Sequence, residues 1–176
     1  MKKEFSSQRI EEITEAEAER PNFKEDLYER EGTREETLQL VIFRLSREWY
    51  GVEISKVKEV IKVGKITYLP SSPEYIAGIV NLRGNILSVT DLKIILGLPH
   101  EEPIEKARIL AVESRTVNTG FLVDEVVESI DVPKSKITSA LPTIPSEGAK
   151  YIKGQCKMED RLIAIINVER ILDMRV

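Results

Sequence analysis

The sequence predicts a mainly β fold with a few short helices, built from two copies of one strand-rich unit behind a disordered acidic tail. Three observations carry that expectation. From Leu38 onward, short runs rich in β-branched and aromatic residues are punctuated by Gly and Pro. The same order of motifs occurs twice along the chain. Before Leu38, apolar residues are too sparse to build a core.

Residues 1–37 form the expected tail. Phe5, Ile10, Ile13, Phe23, Leu27 and Tyr28 are scattered among charges, and Pro21 divides the stretch. Ser7 to Arg20 has the residues for a transient helix, but helices of that length are marginal alone in water. The folded part opens on a strand in which Leu38, Leu40, Ile42 and Arg44 alternate with Gln39, Val41, Phe43 and Leu45. Ser46-Arg47-Glu48 then turns the chain into a second strand, Trp49 to Ile54. Further strands are expected at Ile79 to Leu82, Ile86 to Val89, Arg108 to Val112, Asn118 to Val123 and Leu162 to Ile166. Two short helices complete the set. Asp91 can cap Leu92 to Leu96, with Gly97 and Pro99 as the stop, and Asn167 can cap Val168 to Leu172 in the same way.

The duplication is explicit. Shifted by 69 positions, Gly51, Val52, Ile54, Val57, Glu59, Ile61 and Val63 fall on Gly120, Phe121, Val123, Val126, Glu128, Ile130 and Val132. Shifted by 76, Tyr75-Ile76-x-Gly78 falls on Tyr151-Ile152-x-Gly154, and Ile86-Leu87, Asp91-Leu92 and Ile95-Leu96 fall on Leu162-Ile163, Asn167-Val168 and Ile171-Leu172. The connections that absorb the difference contain Leu69-Pro70 and Leu141-Pro142. Units this small bury too little surface alone, so an interface shared between the copies is expected.

Composition narrows the function. The 176 residues are 41% apolar and 32% charged. Apolar runs such as Leu40 to Phe43 and Leu162 to Ile166 are far shorter than the roughly 20 residues a bilayer requires, and no signal-peptide h-region follows Met1. A lone cysteine, Cys156, suits a reducing compartment, so a cytoplasmic protein is expected. Residues 1–37 hold 7 Lys/Arg against 12 Asp/Glu, leaving 19 against 18 in the remainder, so the acidity belongs to the tail. A nearly neutral folded part offers no basic stripe for a phosphate backbone.

Catalytic constellations are absent from the motifs. No phosphate-binding glycine loop, nucleophile elbow or dinucleotide fingerprint occurs. The only histidine, His100, lies in a loop-like Leu98-Pro99-His100-Glu101-Glu102-Pro103 and cannot anchor a His-rich metal site alone. Cys156 falls opposite Val80 and reads as a buried apolar residue. Ser55-x-x-Lys58 has the spacing of an acyl-enzyme motif without its companions. Adjacent carboxylates such as Asp124-Glu125 would point to opposite faces of a strand. Neither a cofactor nor a metal is expected. Val57 and Val126, equivalent in the repeat, are either core or part of an apolar contact surface.

Asn81-Leu82-Arg83-Gly84-Asn85-Ile86-Leu87-Ser88-Val89-Thr90-Asp91-Leu92 resembles the CheW family of chemotaxis coupling proteins. Tyr50-Gly51-Val52-Glu53-Ile54-x-x-Val57-x-Glu59-Val60, Pro73-Glu74-Tyr75-Ile76-x-Gly78, Val123-Asp124-x-Val126 and Tyr151-Ile152-x-Gly154 follow in family order, so the resemblance spans Leu38 to Leu172. Ser88 stands where many members carry proline, and the tail is longer than the family pattern needs.

The resemblance implies tandem SH3-like five-stranded β-barrels, residues 38–105 and 106–176, with strands or the C-terminal helix free to cross between them. It implies a stand-alone, non-enzymatic cytoplasmic adaptor, recruited to membrane-associated receptor arrays. Its partners would be the cytoplasmic tips of methyl-accepting chemotaxis receptors and the regulatory domain of the histidine kinase CheA. Chain length leaves no room for kinase, phosphotransfer or receiver domains. By motif position, Glu59, Arg83 and Val126 are receptor-side residues, and Val57 and Gly78 are kinase-side residues. Gly78 and Gly84 also suit turn or bulge geometry. Arg83 faces Glu159 in the repeat, an asymmetry that favours a functional arginine over a solvated turn residue. Two alternatives remain: a similar adaptor in another receptor-kinase pathway such as pilus motility, and a nucleic-acid-binding tandem barrel using Trp49 and Tyr50 beside Arg44 and Arg47.

Overall fold

Strand β1 (Thr37–Leu45) has no apolar residue to spare for water. Leu40 and Ile42 project into one buried cluster, while Val41, Phe43 and Leu45 project into another. A strand buried on both faces needs a layer on each side, and the rest of the fold supplies them. The computed structural model describes residues 35–99, 105–115, 117–139 and 146–174. The tail through residue 34 with its expected helix, His100, Glu101, Glu102 and Leu141-Pro142 lie outside the described residues.

Ser46-Arg47 turns β1 into β2 (Glu48–Glu53), and a short 3-10 turn, Ile54–Lys56, leads to β3 (Val57–Lys62). The hairpin β4 (Ile76–Leu82) and β5 (Asn85–Asp91) runs into α1 (Leu92–Leu96). The second copy repeats this order with β6 (Arg108–Glu113), β7 (Asn118–Val123), β8 (Glu125–Pro133), α2 (Ser146–Ala149), β9 (Ile152–Met158), β10 (Arg161–Ile166) and α3 (Val168–Asp173). Both expected caps are present. Asp91 accepts from the Lys93 amide, Asn167 accepts from the Arg170 amide, and Gly97 closes α1 in the left-handed conformation.

Two five-stranded sheets result, in the orders β8-β1-β2-β10-β9 and β3-β6-β7-β5-β4. They do not follow the copies. Each copy gives its first two strands to one sheet and its last three to the other, so the expected boundary at residues 105/106 separates the repeats but not the sheets. Parallel pairing of β2 with β10 and of β5 with β7 joins the exchanged parts. Each sheet curls shut through one bridge, Thr67 to Ile79 in one and Thr138 to Gln155 in the other, which shields strand edges from foreign pairing.

Three apolar clusters follow from this plan. Leu40, Ile42, Val132, Cys156, Ile163 and Ile165 fill the first barrel; Val80, Leu87, Val89, Ile109, Ala111 and Leu122 fill the second. Both interiors are narrow. A Cβ on Gly120 would lie 2.3 Å from Ile109 Cγ2, and one on its counterpart Gly51 would lie 3.3 Å from Leu40, Ile42 and Ile163. The third and largest cluster lies between the barrels, where Phe43 stacks on Tyr50 with α1 and α3 packed alongside. At roughly 1.5–3 kcal/mol per large apolar side chain, this seam holds much of the burial that joins the barrels.

The Tyr-Ile-x-Gly motif now has a physical reason. The carbonyls of Tyr75 and Tyr151 accept from the cap amides of Asp91 and Asn167 at 2.8 and 2.7 Å, fixing where each helix starts.

Candidate functional site

Arg83 and Gly84 form the two-residue loop between β4 and β5, and both have positive φ, 51° and 86°. That is the turn whose twist suits a hairpin, and it favours Asn or Gly at its first position. An arginine there pays roughly 1–2 kcal/mol in backbone conformation. The Asn81 side chain offsets part of this by accepting from the Gly84 amide at 2.8 Å. The Arg83 guanidinium reaches back to Glu59 on β3, with Nη2 to Oε2 at 2.9 Å and Nη1 to Oε1 at 3.5 Å. Glu59 is 18% exposed and Arg83 66%, so a largely covered carboxylate orients a cation that faces solvent. Such a fork suits a carboxylate or a row of carbonyls on a partner.

The remaining site residues sit differently. Val57 begins β3 opposite Val112 and is 9% exposed, packed in the seam between the barrels; Val126, on β8, packs partly buried against the same seam. Val57 is therefore a seam residue with at most an edge to offer a partner. Gly78, on β4, is in direct contact with the barrel closure: a Cβ there would lie 2.3 Å from the Thr67 carbonyl oxygen, and its φ is 146°. The structure thus brings Glu59 to Arg83 and Val57 to the seam shared with Val126, and it places Gly78 at the closing bridge.

The second copy carries an equivalent ion pair that sequence comparison by turn position misses. Glu128, the counterpart of Glu59, binds Arg161 at 2.6 Å, and Arg161 also meets Glu159 at 3.4 Å. The arginine has moved two residues along the hairpin. Arg161 lies 4.9 Å from the Trp49 ring centre, with Arg44 at 5.5 Å from the same ring. The Glu128 hydrogen bond raises the Arg161 pKa further, so its charge is fixed. The asymmetry between copies is therefore one of presentation: Arg161 is locked against an aromatic ring at 27% exposure while Arg83 projects. Tyr50 is 3% exposed with its hydroxyl on Glu48 at 2.6 Å, so neither aromatic is free as a base-stacking platform.

Cys156 is buried in the first barrel, and burial pushes its thiol pKa up, away from nucleophile chemistry. Among the described residues no helix is long and apolar enough to cross a membrane, and no group of His, Cys, Asp and Glu could hold a metal ion.

Interleaved five-stranded barrels that hold out a preoriented, solvent-facing arginine define a tandem-barrel fold. Residues 39–176 match the family model of the CheW-like domain, and the chain belongs to the CheW family. It is 33% identical over 135 residues to the chemotaxis protein CheW of Bacillus subtilis, covering 77% of this chain and 86% of that one. It is 32% identical over 160 residues to the chemotaxis protein CheW of Helicobacter pylori, covering 86% and 96%. The crystal structure of the scaffolding protein TtCheW from Thermoanaerobacter tengcongensis superposes with a TM-score of 0.70 at 34% identity, covering 79% of this chain and 90% of that one. Protein PilI of Pseudomonas aeruginosa is 29% identical over 112 residues, covering 64% and 63%.

Proposed function

We propose that this chain is a non-enzymatic cytoplasmic adaptor that couples methyl-accepting chemotaxis receptors to the regulatory domain of the histidine kinase CheA. The observation that carries the reading is Arg83: a cation held out of a left-handed turn by a covered Glu59, on a fold of the CheW family. Glu59, Arg83 and Val126 form the receptor side. Val57 and Gly78 serve the kinase side by shaping the seam and the barrel closure, since a 9%-exposed valine and a glycine packed on Thr67 have little side chain to offer. Recruitment to membrane-associated receptor arrays follows from receptor binding. The likeness to PilI supports a second reading, the same adaptor chemistry in pilus motility, over a shorter match. A pull-down in which a receptor-tip fragment and the CheA regulatory domain are offered separately tests the reading. Capture of both is expected, and capture of neither contradicts it.

A further inference from the structure

The chain crosses between the two sheets twice, and the crossings are built differently. At the first, the 3-10 turn Ile54–Lys56 is flanked by the pairs Glu53–Lys153 and Lys56–Glu169, all partly exposed. At the second, a single residue, Asp124, separates β7 from β8. Its carboxylate joins elements from both sheets. Oδ2 accepts from the Ser46 amide at 2.6 Å, in the β1–β2 turn, and Oδ1 pairs with Lys93 Nζ at 2.9 Å, on the helix that follows β5. The Asp124 amide donates to the Arg44 carbonyl at 3.0 Å. The Lys93 side chain is 3% exposed and that of Asp124 15%, so this is a buried charge pair at the junction.

Buried pairs are a poor source of stability, because desolvation offsets their attraction and apolar residues of similar size do as well. What such a pair adds is geometry. Two residues beyond Asp124 stands Val126, opposite Phe43, and the β1–β8 register slips between Phe43 and Ile42, whose partner is Glu128. The carboxylate therefore sets where β8 begins relative to both sheets.

We propose that Asp124, through Lys93 and Ser46, is a positioning residue that fixes the setting of the two barrels and so presents Val126 and Arg83 together to a receptor helix. This rests on the receptor-binding reading above.

The test uses the full chain with Cys156→Val and spin labels at the exposed Ile86→Cys and Leu162→Cys, one on each sheet. Inter-label distances, thermal unfolding and affinity for a receptor-tip fragment are measured with Asp124→Asn and with Asp124→Asn/Lys93→Met. The single variant takes the Asp124 carboxylate away from the buried Lys93 ammonium; should it fail to fold, the double variant carries the test. In the double variant the melting temperature returns to within about 2 °C of the parent. The distance distribution stays broadened and receptor affinity stays lower by about tenfold. A distribution as narrow as the parent's overturns the proposal, as does affinity that recovers together with stability. If the parent itself does not bind the receptor fragment, the receptor reading fails, while the distance distribution still decides whether Asp124 sets the barrels.

Discussion

Gly78 and Thr67 are packed so closely that no side chain fits between them: a Cβ on Gly78 would lie 2.3 Å from the Thr67 carbonyl oxygen. Thr67 and Ile79 exchange two backbone hydrogen bonds of 2.8 Å beside that contact, and these close the second barrel. Gly78→Ala therefore has to open the bridge or move the strand, and its φ of 146°, which side-chain-bearing residues rarely adopt, adds strain of about 1–3 kcal/mol. Gly154, the counterpart, would bring its Cβ only to 3.0 Å of Thr138 O and Ile137 Cγ2. Gly78→Ala should lower the melting temperature clearly more than Gly154→Ala. Equal shifts would show that closure does not depend on Gly78.

Val57 is a core residue of the seam, and Val57→Asp would bury a carboxylate among apolar side chains at a cost of several kcal/mol. Loss of partner binding in that variant should accompany loss of cooperative unfolding in chemical denaturation. A Val57→Asp protein of parental stability would place Val57 on an open surface instead.

Because each barrel takes strands from both copies, neither copy should fold alone. A fragment of residues 35–105 lacks β6 to β10, so β1 loses its neighbour β8 and the Val132, Cys156, Ile163 and Ile165 side chains that cover Leu40 and Ile42. Circular dichroism and amide exchange should show it unfolded, and mixing with residues 106–176 should restore protection. A cooperative melt of the isolated fragment would contradict the exchange of strands.

Most of this plan was legible in the residues, and the exceptions have a common cause. The central strands announce themselves because both of their faces are apolar, as in Leu40 to Phe43 and Ile109 to Val112. Strands β3, β8 and β9 did not stand out, and each lies at a sheet edge: Glu59 and Glu128 break the apolar alternation of β3 and β8, and every second position of β9 is polar, as Lys153, Gln155 and Lys157. The repeat was plain in sequence and crossing between the barrels was allowed for, but which strands exchange was not legible, since like strands from either copy satisfy the same pattern. At the site, the motif singled out Glu59 and Arg83, and the fold brings the two together. The Glu128–Arg161 pair was hidden by a two-residue shift along the hairpin, and the burial of Val57 by the even division of valine between core and contact surface.

Burial, and then the hydrogen bond that the hydroxyl donates to Glu48, hold the Tyr50 hydroxyl pKa above its ordinary value of 10.0. A raised folded pKa means that stability is intact below the unfolded value and declines as pH rises past about 10, where the unfolded tyrosine ionises and the folded one does not. Urea unfolding between about pH 8 and 11 should show a steeper alkaline loss for the parent than for Tyr50→Phe. Identical slopes would remove Tyr50 from the alkaline response.

With its arginine open to solvent, the Glu59–Arg83 pair is worth only about 0–1 kcal/mol to the fold, so Arg83→Glu separates recognition from stability. Arg83→Lys keeps the charge but not the planar fork, and it should also weaken receptor binding, non-additively with Glu59→Gln. The most direct measurement is the affinity of Arg83→Glu for a receptor-tip fragment, taken beside its affinity for the CheA regulatory domain and its melting temperature. Receptor binding should fall by at least about tenfold, or about 1.4 kcal/mol, with the other two values unchanged. Undiminished receptor affinity would contradict recognition by Arg83 and leave the β4–β5 hairpin a structural turn.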